Sequence, residues 1–473
     1  MIISSFNDTI CAPATALGSG AISIVRVSGP DALSIADKVI KLRKGTLSNA
    51  DGYTLHYGVV HDGADVLDEV LAMVFKAPHS YTGEDSVEIS CHASSYIVQR
   101  IMFLLIDAGA RAAEPGEFTK RAFVNGKMDL AQSEAVADLI ASDSKASHRI
   151  ALNQLRGGYS EELQKMRSKL LEITSLMELE LDFSEEDVQF ADRTELRKLT
   201  DEACALISSL AGTFRLGNAI KNGVPVAIAG AVNSGKSTLL NALVGEDRAI
   251  VSDIAGTTRD TVEETITIGS TLFRFIDTAG IREASETIEK LGIERTFKKI
   301  SQADILLAVL DLTLPTEQIK ADANIILAST DLSAQQVIFV GNKADKKASN
   351  KNVKDTLGFV SSTDNQQHTP LFIEISALTG SGVPQLKELL EKTQLNRIDG
   401  TSSVLVSNAR HYAELTAALQ GLKRVREALD TSLSTELIAQ DLRSALSHLG
   451  SITGEFTTDQ ILSQIFSHFC IGK

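Results

Sequence analysis

A chain of 473 residues is too long for one hydrophobic core, so two or three domains are expected. Charged residues make up 23% and apolar residues 43%, a balance that excludes an extended disordered protein. The formal charge of −15, from 46 basic and 61 acidic residues, argues against a dedicated nucleic-acid coat but leaves room for a local basic patch.

The opening MIISSFNDTICAPATALGSG lacks the charged leader and long apolar run of a secretory signal. No run of about 18 apolar residues is evident, so no membrane span is expected. The cysteines Cys11, Cys91, Cys204 and Cys470 are scattered, with no CxxC pair among them. Reduced thiols in a soluble, cytoplasmic protein fit this better than a disulfide framework or a zinc site.

Residues 1–125 mix β-rich runs (AISIVRVSG, VLAMVF, SVEISCH) with one helix-like stretch around Ile97–Ala108, the texture of a small α+β domain. Residues 126–217 turn helical. Leu163, Met166, Leu170, Ile173 and Met177 line one face of a long helix, and the acidic DFSEEDVQF separates it from a further helical run near Thr194. Residues 218–394 return to apolar strands (VPVAIAG, LFRFID, ILLAVLDL, QVIFVG, LFIEIS) spaced as in a parallel sheet with crossover helices. In residues 395–473 the helical period resumes, with Tyr412, Leu415, Leu419, Leu422, Val425 and Leu429 stepping by threes and fours. A multidomain α/β and α architecture follows, with the α/β domain inserted into a helical one. Two separate bundles, or a heptad seam between two copies, would give the same periodicity.

GAVNSGKST at 230–238 fits G-x-x-x-x-G-K-[ST] between a strand and a helix, the context that a phosphate-binding loop requires. Gly230 and Gly235 let backbone N–H groups face phosphate oxygens. Lys236 reaches the outer phosphates, and the Ser237 hydroxyl suits Mg²⁺. In GTTRD (256–260), Thr258 can complete the Mg²⁺ shell; in DTAG (277–280), Asp277 suits Mg²⁺ through water and Gly280 the γ-phosphate. Asp345 of NKAD (342–345) can accept from guanine N1–H and N2–H₂, which adenine cannot match, and ISAL (375–378) closes over the base. Alone, each motif could be a turn or a surface loop; five in order on the right elements describe a GTP-binding domain. One position departs from Ras-like GTPases: the glutamine that orients water after DxxG is here Ile281.

The chain resembles the MnmE (TrmE) family of tRNA-modification GTPases over essentially its full length. The likeness runs from ISIVRVSG through SYTGEDSVEIS, PGEFTKRAFVNGKMDLAQSEAVADLI and the G motifs to the terminal CIGK. It implies a Ras-like G domain (218–394) inserted into a helical domain (126–217 and 395–473), behind an N-terminal domain (1–125) that binds tetrahydrofolate and dimerises. It implies nucleotide contacts at Asn233, Ser234, Gly235, Lys236, Ser237 and Thr238; at Ser252, Asp253, Ile254, Ala255, Gly256, Thr257 and Thr258; at Asp277, Thr278, Ala279 and Gly280; and at Asn342, Lys343, Asp345, Ser376, Ala377 and Leu378.

In place of the glutamine, the resemblance implies K⁺ held by Asn233, Ser252, Ile254 and Thr257, and a water-orienting Glu289. The family usually has proline before that asparagine, and this chain has Val232. Folate, as a 5-formyl or methylene form, is implied at Arg26, Glu88, Lys127 and Lys473, with Cys470 a candidate catalytic group. Implied partners are a second copy of the chain, tRNA, and the FAD-containing MnmG (GidA) protein in a heterotetramer, acting at carbon 5 of the wobble uridine. A ribosome-assembly switch that binds rRNA is the rival reading; its relatives carry a basic RNA-binding module that this chain lacks. A folate-pathway enzyme with a regulatory GTPase is a third.

Overall fold

The computed structural model describes residues 6–182 except 17 and 19, 193–245, 263–276 except 270, 303–347 except 329, 331, 333 and 334, and 353; it also describes 370–398, 404–467 except 432 and 433, 469 and 472. Two compact units share the chain. One comprises Met1–Ala137, Gln154–Asp201 and Gln420–Lys473, the other Asp138–Asn153 and Glu202–Leu419. Each is discontinuous, as follows when one stretch of chain is inserted into another.

The first unit is built on a seven-stranded sheet. Its strands are β1 (Ile10–Pro13), β2 (Ile22–Ser28), β3 (Ile40–Leu42), β4 (Thr54–Asp62), β5 (Asp65–Phe75), β6 (Ser86–His92) and β7 (Arg111–Ala112), in the order β3-β4-β5-β6-β2-β1-β7. The period of two in these strands assigns the faces. Val25 and Val27 of β2, Val87 and Ile89 of β6, and Val70, Ala72 and Val74 of β5 are buried with apolar residues of the helices Ala32–Val39 and Ser95–Asp107. On the same sheet Ile22, Leu55, Tyr57 and Leu71 are exposed large apolar side chains. The sequence reading found β2, β6 and part of β5 but passed over β4, whose alternation is diluted by His56, Gly58 and His61.

Helix Gly158–Asp182 carries the expected stripe: Leu163, Met166, Leu170 and Met177 are buried, and the helix packs against Thr435–Thr453. The stripe on helix Ala409–Asp430 is shifted from expectation. Leu415, Ala418, Leu422 and Val425 are buried, whereas Tyr412 is exposed and stacks on Phe214 with centroids 4.4 Å apart. By length and composition, Arg193–Asn222 could cross a membrane, which the sequence reading did not register. Its Leu196, Ala203, Ile207, Leu210 and Ile220 are buried in the protein, which accounts for the apolar run as core.

The second unit holds a six-stranded sheet ordered β13-β12-β11-β8-β10-β9. Its strands are β8 (Val224–Gly230), β9 (Glu263–Ile268), β10 (Thr271–Ile276), β11 (Ile305–Asp311), β12 (Gln336–Asn342) and β13 (Leu371–Glu374). All neighbours are parallel except β9, which forms a hairpin with β10. The near-continuous apolar runs follow from burial on both faces. Val226, Ile228, Leu307 and Val309 enter one core, while Ala227, Ala229, Leu306 and Leu310 enter another. The expected strands are present; β9 was missed, although ETITI before a Gly-Ser pair and LFRFI is a hairpin signal.

Candidate functional site

In the second unit the nucleotide motifs stand at the carboxyl ends of parallel strands of one sheet, where open α/β sheets bind ligands. Gly230 ends β8, Asn342 ends β12, and Ser376 follows β13. A Cβ at Gly230 would lie 2.3 Å from the Val309 carbonyl oxygen, so only glycine lets the loop leave the sheet here. Asn233 adopts a left-handed conformation (φ 63°), which asparagine tolerates better than most residues, and its side chain is exposed at the loop tip. Val232, where the family usually has proline, is exposed as well.

The Lys236 ammonium donates to the carbonyls of Gly230 and Ala231 at 2.9 and 2.8 Å, which folds it back over its own loop. Ser237 and Thr238 are exposed in the first turn of helix Lys236–Val244, at its positive end. Among the described residues no group of three His, Cys, Asp or Glu side chains could hold a metal. A Mg²⁺ ion held by hydroxyls, waters and nucleotide phosphates suits this donor set.

Asn342 ties the site together. Its Nδ2 donates to the Ser234 carbonyl at 2.9 Å, and its Oδ1 accepts from the Ala377 N–H at 3.0 Å. One buried amide therefore joins the phosphate loop to the loop after β13. Gly235 (φ 98°) makes room for it, since a Cβ there would sit 2.2 Å from Nδ2. Lys343 is also left-handed (φ 64°), and its ammonium pairs with Asp311 at the end of β11 at 2.6 Å. Burial works to raise the Asp311 pKa, but hydrogen bonds from Lys343 and Thr313 outweigh it and hold the carboxyl below its usual range. Asp345 is exposed on the 3₁₀ turn Ala344–Lys346, beside this anchor. Ser376 and Ala377 are buried, while Leu378 is exposed. Ser252, Asp253, Ile254, Ala255, Gly256, Thr257, Thr258, Asp277, Thr278, Ala279, Gly280, Ile281 and Glu289 lie outside the described residues.

In the first unit Arg26 and Glu88 are cross-strand partners on β2 and β6. The Arg26 Nε and one Nη donate to the same Glu88 oxygen, Oε1, at 2.9 and 2.8 Å, with the side chains 19% and 20% exposed. The two were expected to meet a ligand separately; here they meet each other. The guanidinium carbon also lies 5.1 Å from the Tyr81 ring centre and 5.5 Å from that of Phe118. Neither aromatic was singled out from the sequence, and only the segment SYTGEDSVEIS pointed toward Tyr81. Lys127 is exposed, and its ammonium donates to the Pro78 carbonyl at 2.9 Å, on the loop that carries Tyr81.

Cys470 and Lys473 lie outside the described residues, but Phe469 and Gly472 do not. Phe469 packs on Phe466 and on Gly116, where a Cβ would meet its own Cβ at 2.9 Å. Gly472 (φ 95°) is seated on β1: a Cβ there would lie 2.0 Å from the Pro13 carbonyl oxygen. Ala12 of β1 is the register partner of Arg26, so the chain's penultimate residue rests one strand from the Arg26–Glu88 pair. Cys11, Cys91 and Cys204 are buried and in no disulfide among the described residues, and burial raises the first two thiols to about 11.

Comparison with known proteins gives the family. A family profile described as the GTP-binding protein TrmE N-terminus matches residues 9–127, and the MnmE helical domain profile matches 130–470. The tRNA modification GTPase MnmE of Bacteroides thetaiotaomicron is 52% identical over 469 residues, covering 99% of this chain and all of that protein. The protein of the same name from Porphyromonas gingivalis is 50% identical over 479 residues and the full length of both. Among solved structures, the G domain of the T. maritima FeoB iron transporter is 27% identical with a TM-score of 0.25, covering 36% of this chain and 97% of that one. A helical-domain match that begins before the phosphate loop and ends after the guanine loop is what an inserted G domain requires. The chain belongs to the MnmE family of tRNA modification GTPases.

Proposed function

We propose that the chain is a cytoplasmic, K⁺-activated GTPase. With the FAD-containing MnmG (GidA) partner, it adds an aminomethyl or carboxymethylaminomethyl group at carbon 5 of the wobble uridine of certain tRNAs. The added carbon comes from a tetrahydrofolate one-carbon unit. The observation that carries the reading is the seat of Gly472 on β1, one strand from Arg26 and Glu88, in a chain that also holds the P-loop and the guanine loop. A GTP-dependent RNA switch has no use for a segment seated one strand from a paired arginine and glutamate.

In this reading Ser237 and Thr258 hold Mg²⁺, and Asn233, Ser252, Ile254 and Thr257 hold K⁺. The cations, when bound, neutralise charge that develops between the β- and γ-phosphates. Glu289 orients the attacking water; a carboxylate is too weak a base to deprotonate it outright. Arg26, Glu88, Lys127 and Lys473 bind the folate. Cys470 acts near them, and the burial of the other three thiols favours it as the reactive cysteine. The exposed apolar sheet face of Ile22, Tyr57 and Leu71 suits a second copy of the chain, making a homodimer.

Mass spectrometry of tRNA from cells lacking this chain tests the reading. Wobble uridines without aminomethyl-type groups at carbon 5 are expected. Intact wobble uridines, with no second copy of the gene, would instead favour a ribosome-assembly switch. The cation assignment has its own test. GTP hydrolysis should be faster in K⁺ than in Na⁺, and Asn233→Ala should remove that difference. Equal rates in the two salts for the unsubstituted chain would sink the K⁺ mechanism.

A further inference from the structure

We propose that Tyr81 is a specificity residue of the folate site. Its ring, with Phe118, confines the Arg26 guanidinium to one oxygen of Glu88 and keeps the other oxygen for the N–H edge of a pterin. The inference rests on the folate reading above and adds to it a residue and a geometry. A guanidinium and a carboxylate commonly pair fork to fork, with one bond to each oxygen. Here both Arg26 donors converge on Oε1, which fills its two lone pairs, and Oε2 accepts no hydrogen bond among the described residues.

The two rings explain why the guanidinium stays there. Their centres lie 5.1 and 5.5 Å from its central carbon, within range of cation–π attraction. Phe118 is fully buried, whereas Tyr81 is half-buried, so Tyr81 is the ring that a ligand can touch. Its hydroxyl is fixed to Thr119 Oγ1 at 2.8 Å. The loop beneath it is pinned by Thr82 to Ser28 at 2.7 Å and by Ser28 to Glu84 at 2.8 Å.

A group that pairs with Oε2 must donate, and a flat ring beside it packs against Tyr81. A bicyclic heteroaromatic with adjacent amino and ring N–H donors, as in a reduced pterin, meets both demands. An oxo group in place of the amino group would turn a lone pair toward a carboxylate oxygen.

The test is isothermal titration of the full chain with 5-formyltetrahydrofolate. Tyr81→Leu should weaken binding about tenfold or more, whereas Tyr81→Phe, which keeps the ring, should stay within about threefold. The chain contains no tryptophan, so Tyr81→Trp installs a single reporter whose emission should change on ligand addition. This variant decides the matter if Tyr81→Leu fails to fold by circular dichroism. Equal affinity for Tyr81→Leu and the unsubstituted chain, or an unresponsive tryptophan in a variant that binds, overturns the role of Tyr81. A folded, unsubstituted chain that binds GTP but no 5-formyltetrahydrofolate overturns the folate reading itself, and this inference with it.

Discussion

Asn342→Ala should weaken binding of both GTP and GDP by roughly 10²-fold while leaving the protein folded. The Asn342 amide is buried, and each end satisfies one main-chain group: the Ser234 carbonyl in the phosphate loop and the Ala377 N–H in the loop after β13. Alanine leaves both groups without their partner, and an unsatisfied buried polar group costs about 1–3 kcal/mol. With two such groups, about 3 kcal/mol of the combined loss reaching the nucleotide would give the stated factor, because each 1.4 kcal/mol is about tenfold in affinity. Asn342→Asp separates the two ends. It keeps an acceptor for Ala377 but replaces the donor to Ser234 with a negative oxygen facing a carbonyl, so phosphate binding should suffer most. Titration with fluorescent GDP measures both variants. A dissociation constant within threefold of the unsubstituted chain for Asn342→Ala would show that the loops hold their shape without the clamp.

The sequence was most legible where one local rule determines one feature. Strand β8 was visible because VPVAIAG is apolar without a break, and such a run is read correctly when both faces of the sheet are covered. Gly235 is marked by its motif, and its left-handed backbone explains why the motif needs glycine there; Asn233, singled out only by the family resemblance, is left-handed too. What escaped detection depends on chain segments far apart in sequence. Nothing near position 118 announces that Phe118 lies against the guanidinium of Arg26, since helix and strand are joined only by the fold. The pairing of Arg26 with Glu88 needed the register of β2 on β6, which a one-residue slip would have destroyed. Tyr412 keeps helical spacing with Leu415, yet its ring leaves the buried stripe to stack on Phe214. The docking of Gly472 on Pro13 joins the two ends of the chain, a contact no periodicity can reveal.

Asp345→Asn should convert the nucleotide preference from guanine to xanthine, a swing of about 10⁴-fold between the two bases. The carboxylate is exposed on a short turn held from both sides. The Ala344 N–H donates to the Ile375 carbonyl at 3.0 Å, and Lys343 is fastened to Asp311. In the proposed role the two acceptor oxygens of Asp345 would take the two donors of guanine, N1–H and N2–H₂. An asparagine in the same place offers one acceptor and one donor, so its amide hydrogen would meet the guanine amino group. Xanthine carries an oxygen at that carbon and restores the match. The turn itself should be undisturbed, because its anchors use main-chain groups and Lys343, not the Asp345 side chain. Competition binding with GDP and XDP, followed by hydrolysis of GTP and XTP, reads the exchange directly. If the asparagine variant still prefers GTP, Asp345 is only a surface carboxylate beside the site, and base selection must be sought in the loop from Ser376 to Leu378.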